Sequence, residues 1–242
     1  MKILIVRHGE PNYEIDGLTE KGKREAELLS DRLCRENIKA IYCSPLGRAR
    51  LTAEPTLKKL GMTAKIMPWL REFNVAQVRL PYLEDTACCW DILPEYINSL
   101  ESIYHPTKWL EEEFIKRSDV PSAYKEVCRM LDALLSEHGY ERDGYNYKAV
   151  SPNHNTIVFV CHFGLTAVLL SHLLNCSPYS IWQHVCTLPT AVTTLYTEER
   201  VEGKALFRAA AIGDISHLYL KGEEPSFSAR FCECFTDDTR HH

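Results

Sequence analysis

The sequence predicts an α/β fold: a three-layer α/β/α sandwich around a mostly parallel sheet, with a helical insertion over the carboxyl edge of the strands. Three observations carry this. Short β-rich runs alternate with segments of helical period, the pattern of strands joined by crossover helices. The most apolar run, Thr156–Cys161, passes straight into a second apolar segment of helical length, Phe163–Leu174. Strands buried on both faces read as continuous apolar runs of this kind. Between the two strand-rich halves lies a long stretch, 74–155, with few strand signals.

The elements follow in order. Ile3-Leu4-Ile5-Val6 makes residues 2–6 the first strand. Thr19 is placed to cap a first helix, in which Ala26, Leu29 and Leu33 recur at helical spacing. Ile38–Cys43 reads as the second strand and 48–60 as the second helix, with Gly61 as its stop. Residues 64–67 form a weak third strand. Within 74–155, helices are expected near 91–104, 108–117 and 122–138, and the polar segment 139–155 is expected to be a loop. After Thr156–Cys161 and Phe163–Leu174, strands are expected at 191–197 and 205–212. The chain, 1–242, is expected to be one domain, with 74–155 as an insertion in it and no internal repeat.

Composition narrows the function classes. Of 242 residues, 45% are hydrophobic and 25% charged, with a net charge of −5. That balance favours neither nucleic acid nor an anionic membrane as a partner. No apolar run is long enough to span a bilayer, and Met1-Lys2 leads into only a short apolar run before Arg7, unlike a secretory signal. Ten scattered cysteines without such a signal are expected to be reduced thiols of a cytoplasmic protein. No Cys/His spacing completes a zinc site. The terminal Arg240-His241-His242 carries no functional weight.

Arg7-His8-Gly9-Glu10 directly follows the first strand. In an open α/β sheet that edge is where ligands bind. The guanidinium of Arg7 offers a planar fork of donors for phosphate oxygens, and a neutral imidazole supplies a nitrogen nucleophile. Three later pieces have the same form, a strand ending in a polar group or turn: Ser44-Pro45-Leu46-Gly47-Arg48-Ala49-Arg50-Leu51-Thr52-Ala53, then Leu70-Arg71-Glu72-Phe73, then Cys161-His162-Phe163-Gly164. Two histidines, at least two arginines and a carboxyl group are thereby brought to strand ends.

These pieces resemble the histidine phosphatase superfamily, the clan that includes the cofactor-dependent phosphoglycerate mutases. Its signature runs R-H-G-[ET], then S-x-L-x-R-A-x-x-T-A, then an acidic residue in an L-x-E context, then a second strand-end His. Leu18-Thr19-Glu20-Lys21-Gly22 and Asp214-Ile215-Ser216-His217-Leu218 are supporting matches. The resemblance implies a phosphoric monoester hydrolase in which His8 attacks phosphorus and becomes a phosphohistidine. It implies that Arg7, Arg48 and His162 hold the phosphoryl oxygens, with His162 counted among the catalytic residues. It implies that Glu72 protonates the leaving oxygen and then deprotonates water; Glu84 and Asp85 are alternative donors. Neither a metal nor a cofactor is implied, and the expected partner is a small-molecule phosphate ester. Arg50 is read as solvated or salt-bridged, and His217 as a brace of the last turn.

The chain also departs from the pattern. Pro11-Asn12-Tyr13-Glu14-Ile15-Asp16-Gly17 replaces the longer mutase loop, and Phe163 follows His162 where glycine is common and the acid phosphatase branch has aspartate. These departures weigh towards a phosphatase over a mutase. The mutase-type transfer stays as the alternative within enzymes, and a non-catalytic phosphate-ligand binding protein as the alternative outside them. The aromatic residues of the insertion, Trp90, Tyr96, Tyr104 and Trp109 among them, hint at a leaving group with apolar area, or simply at a core.

Overall fold

The computed structural model describes residues 1–74 and 77–237; Arg240-His241-His242 lies outside them. The chain begins with β1 (Lys2–Arg7), then a small hairpin of β2 (Pro11–Asn12) and β3 (Gly17–Leu18). There follow α1 (Glu20–Leu33), β4 (Ile38–Cys43), α2 (Gly47–Leu60) and β5 (Lys65–Ile66). A second hairpin, β6 (Gln77–Arg79) and β7 (Thr86–Cys88), leads to α3 (Pro94–Asn98), α4 (Glu113–Lys116) and α5 (Val120–Glu137). β8 (Tyr140–Asp143), β9 (Asn146–Ala149), β10 (Thr156–Cys161), α6 (Phe163–Leu174) and α7 (Tyr179–Trp182) come next. β11 (Val192–Val201), β12 (Lys204–Asp214) and α8 (Ser216–Tyr219) close the set.

The central sheet has the order β5-β4-β10-β1-β11-β12-β9-β8. It is mixed. β5, β4, β10 and β1 run parallel, and β11, β12, β9 and β8 continue the sheet through antiparallel pairings. The β-strand period of two divides the core between two faces. Leu4 and Val6 of β1 and Val158 and Val160 of β10 pack with Leu29 and Leu33 of α1 and Ala49 and Ala53 of α2. Ile3, Ile5, Ile157, Phe159 and Cys161 pack on the other side with α5 and α6. These are the expected three layers. Each fully buried aliphatic side chain contributes about 1.5–3 kcal/mol.

Local chemistry sets the helix ends that matter for the site. Thr19 caps α1, its side chain accepting from the Gly22 N–H. Gly61 ends α2 with a left-handed φ of 62°. Leu46, at the N-cap of α2, has no capping side chain; Asp16 supplies one from the β2–β3 hairpin by accepting from the Gly47 N–H at 2.6 Å. A Cβ at Gly47 would lie 2.1 Å from the Asp16 carbonyl, so only glycine lets this carboxylate approach.

Three expectations for 74–155 need correction. Segment 139–155 is not a loop: β8 and β9 form a hairpin that joins the sheet through β12. Its buried residues, Tyr140, Tyr147 and Ala149, alternate with exposed polar ones, and Gly144 (φ 61°) makes the tight turn. The helix expected at 91–104 shrinks to α3, and the one at 108–117 breaks at Glu112 into a 3-10 turn and α4. Only α5 is long. All ten cysteines are free thiols, and no helix among the described residues is long and apolar enough to cross a membrane.

Candidate active site

His8 is the first residue beyond β1, and its backbone is tied on both sides. Its N–H donates to the Cys161 carbonyl at 3.0 Å, and its carbonyl accepts from the Thr190 N–H at 3.2 Å. The side chain is 2% exposed. Nδ1 lies 2.7 Å from the Gly9 carbonyl, which can only accept. The ring proton therefore sits on Nδ1, and Nε2 keeps its lone pair. Burial and the neighbouring Arg7 and Arg48 push the imidazole pKa well below its ordinary value, so the ring is neutral. Thr52 ties the strand end to α2: its hydroxyl accepts from the Gly9 N–H at 2.9 Å and donates to the Arg48 carbonyl at 2.7 Å.

Around His8 stand buried donors with spare capacity. Arg7 donates from Nη1 to the Thr187 carbonyl at 2.6 Å, and its Nε has no partner. Arg48 pairs through Nη1 with Asp16 Oδ1 at 2.6 Å, and its Nε is likewise unpartnered. The His162 ring centroid lies 5.1 Å from that of His8. Its Nε2 is 2.7 Å from Ser44 Oγ, while Nδ1 is buried without a partner. The Thr187 hydroxyl is orphaned as well. Buried polar groups left unpaired are uncommon and costly. Four such side-chain groups gathered near one neutral imidazole suit a ligand rich in acceptor oxygens, which an oxyanion is. Burial, then His8, Arg48 and Arg7, push the His162 pKa well down too.

Glu72 follows the 3-10 turn Pro68–Leu70 and lies across the N-terminus of α6. Its Oε1 accepts from the backbone N–H groups of Phe73 at 2.7 Å and Leu165 at 3.1 Å. Both of these bonds fall on Oε1, so the titrating proton belongs on Oε2. Burial raises the carboxyl pKa, against the pull of those bonds and of Arg7. A Cβ at Gly164 would meet the Trp90 Nε1 at 2.6 Å and Glu72 Oε1 at 2.8 Å, so glycine makes room for both groups. Trp90 is fixed there by donating from Nε1 to the Phe73 carbonyl at 3.1 Å. Glu84 and Asp85 are exposed in the turn between β6 and β7. The structure thus brings together Arg7, His8, Arg48, Glu72 and His162, and leaves Arg50 exposed.

Ser44, which opens the second motif, touches the site through His162. Asp16, Thr187 and Thr190 carry no sequence signal of their own and touch the site through hydrogen bonds. The segment after α8 also reaches it. The Ser226 hydroxyl donates to Glu10 Oε2 at 2.5 Å, and the Ser226 N–H donates to Glu25 Oε1 at 3.3 Å. Glu25 is fully buried, and burial lifts its pKa to about 7. The Phe231 ring lies 5.0 Å from Phe163, whose ring in turn is 6.0 Å from the Arg7 guanidinium carbon.

Residues 3–119 match the model of the histidine phosphatase superfamily (branch 1). Phosphoserine phosphatase 1 of Hydrogenobacter thermophilus is 24% identical over 213 residues, 83% of this chain and 88% of that protein. A probable phosphoglycerate mutase of Photorhabdus laumondii is 37% identical over 84 residues, 31% of this chain and 39% of that one. In fold, the chain is similar to a phosphoserine phosphatase of Entamoeba histolytica crystallised with phosphoserine. The TM-score is 0.58 at 18% identity, covering 90% of this chain and 98% of the other. A mycobacterial glucosyl-3-phosphoglycerate phosphatase aligns with a TM-score of 0.52 at 17% identity, covering 88% and 98%.

Proposed function

We propose that the chain, whose residues 3–119 match the histidine phosphatase superfamily, is a phosphomonoesterase acting through a phosphohistidine at His8. The observation that carries the reading is the free Nε2 of a neutral, buried His8 beside the unpartnered Arg7 Nε, Arg48 Nε and His162 Nδ1. The two guanidinium groups and the His162 N–H bind the phosphoryl oxygens and hold phosphorus at Nε2. The lone pair of Nε2 attacks phosphorus while the bond to the ester oxygen breaks. Glu72, protonated on Oε2, gives its proton to the departing oxygen. The resulting carboxylate then takes a proton from water, whose oxygen attacks phosphorus as the P–N bond breaks. Phosphate leaves, and Nε2 regains its lone pair. The arginines supply the charge stabilisation that dominates phosphoryl transfer.

The substrate class is a small phosphate monoester. The chain works as one domain, with segment 74–155 shaping the leaving-group side through Trp90, which stands against Glu72 at Gly164. Relatives are named for phosphoserine and for adenosylcobalamin/alpha-ribazole phosphatase activities. The test is hydrolysis of a panel of phosphomonoesters near neutral pH, with phosphoserine, 3-phosphoglycerate, α-ribazole phosphate and an aryl phosphate as members. Release of inorganic phosphate from at least one supports the reading. Interconversion of phosphoglycerates primed by bisphosphoglycerate, without release of phosphate, would replace it by the mutase reading. Binding without either reaction would leave a phosphate-ligand protein.

A further inference from the structure

On the far side of β1 from His162, a second buried histidine is connected to His8 through one residue. Thr190 precedes β11, is fully buried, and has a φ of 59°. A β-branched residue in this left-handed region is strained, and such strain persists only where neighbours enforce it. Three bonds enforce it here. The Thr190 N–H donates to the His8 carbonyl at 3.2 Å. The Thr190 hydroxyl lies 2.7 Å from the Pro189 carbonyl and 3.1 Å from His217 Nε2. The carbonyl can only accept, so the hydroxyl hydrogen goes to Pro189. The oxygen then accepts from His217, which fixes the proton of His217 on Nε2.

The far side of His217 agrees with that tautomer. Its Nδ1 faces Arg32 Nη1 at 3.5 Å, a donor that needs a lone pair opposite it. Arg32 is in turn anchored on Asp214, by Nη2 on Oδ2 at 2.7 Å and by Nη1 on the backbone carbonyl at 3.2 Å. His217 is 5% exposed and lies on α8, beyond the last strand. A line of defined donors and acceptors therefore runs from the Arg32–Asp214 pair to the backbone of His8.

We propose that His217 and Thr190 are positioning residues for the nucleophile: His217 holds the Thr190 hydroxyl, and the strained Thr190 peptide holds the His8 carbonyl and so aims its ring. This rests on the reading of His8 as the nucleophile. Neither residue touches the phosphoryl group. Their effect falls on the attack step and not on substrate affinity.

The test measures kcat, KM and the rate of phosphoenzyme formation by rapid quench on the full chain, with p-nitrophenyl phosphate as probe. His217→Ala and Thr190→Val are expected to slow phosphoenzyme formation about 10- to 100-fold, because small misplacements of a reacting group have effects of that size. KM stays within about twofold, the signature of an interaction felt in the transition state alone. His217→Gln, whose amide N–H reaches the place of Nε2–H, and Thr190→Ser keep most of the rate. The double variant His217→Ala/Thr190→Val is no slower than the worse single variant, since both cut one line. Wild-type rates in either single variant, multiplied effects in the double, or equal damage from Gln and Ala would overturn the proposal. If His217→Ala does not fold, the Thr190→Val and Thr190→Ser pair decides it. Wild-type enzyme without phosphate on His8 would instead end the nucleophile reading. A phosphorylated His8 with full rate in His217→Ala would end only this proposal.

Discussion

Ser44 dictates which nitrogen of His162 faces the reaction centre. The Ser44 oxygen accepts from the Leu46 N–H at 3.3 Å and lies 2.7 Å from His162 Nε2. With the serine hydrogen directed at Nε2, the ring proton lies on Nδ1, the atom left unpartnered at the site. In the proposed mechanism a donor, and not a lone pair, then meets the phosphoryl oxygens.

Replacing Ser44 with Ala removes that preference. One net hydrogen bond of about 1–1.5 kcal/mol is lost, which corresponds to roughly a tenfold fall in kcat. Nitrogen NMR of the His162 ring would show the two tautomers mixing. An unchanged tautomer with an unchanged kcat would remove Ser44 from the account.

Glu72→Gln keeps the shape of the carboxyl group and loses its proton transfer. Esters with poor leaving groups should slow by about 10²–10⁴-fold. An aryl phosphate, whose leaving oxygen needs little protonation, should still form phosphoenzyme at close to the normal rate. The raised pKa of Glu72 also gives the wild-type kcat/KM a limb that falls as pH rises. That limb should vanish in the variant. Equal loss on both ester classes would move the acid elsewhere, with Glu84 and Asp85 the first residues to examine.

Gly164→Ala tests the contact between the insertion and the acid. The new methyl group would collide with both Trp90 Nε1 and Glu72 Oε1. Overpacking of this kind costs about 1–3 kcal/mol of stability. Because Glu72 must move, kcat should fall as well. A variant of wild-type stability and activity would mean that these groups have room to spare.

Stability should depend on pH through His217. Burial and Arg32 push its pKa down to about 4, below the ordinary 6.5. Between those values the unfolded chain binds more protons than the folded one, so this contribution grows from pH 4 to pH 6.5 and is complete above. Its ceiling is about 3 kcal/mol at about 1.4 kcal/mol per pKa unit. Glu25, lifted to about 7, works in the opposite sense, its contribution being lost as pH rises, but it is common to wild type and variant. Urea unfolding of wild type and His217→Gln at pH 4.5 and 7.5 isolates the histidine. Wild type should compare better with the variant at pH 7.5 than at pH 4.5. An identical difference at both values would contradict the assignment.

Much of the site was legible because its signals are local. An apolar strand followed at once by Arg7-His8 or His162 needs only the strand period and the edge rule to be read. Thr19 and Gly61 were legible as helix ends for the same reason. The hairpin of β8 and β9 was not, because charged residues alternate with its buried tyrosines and the segment reads as polar. The Asp143-Gly144 turn signal was there to be used. Asp16, Thr190 and Ser226 act through hydrogen bonds to residues far along the chain. Ser226 is 216 positions from Glu10, and no spacing rule reaches that far.

The central claim is the covalent role of His8. Wild-type protein mixed with a phosphomonoester and quenched within the first turnover should carry one acid-labile, alkali-stable phosphate. Mass spectrometry should place it on His8. His8→Ala should carry none and show no turnover. Full turnover by His8→Ala, or a phosphate found on another side chain, would contradict the mechanism outright.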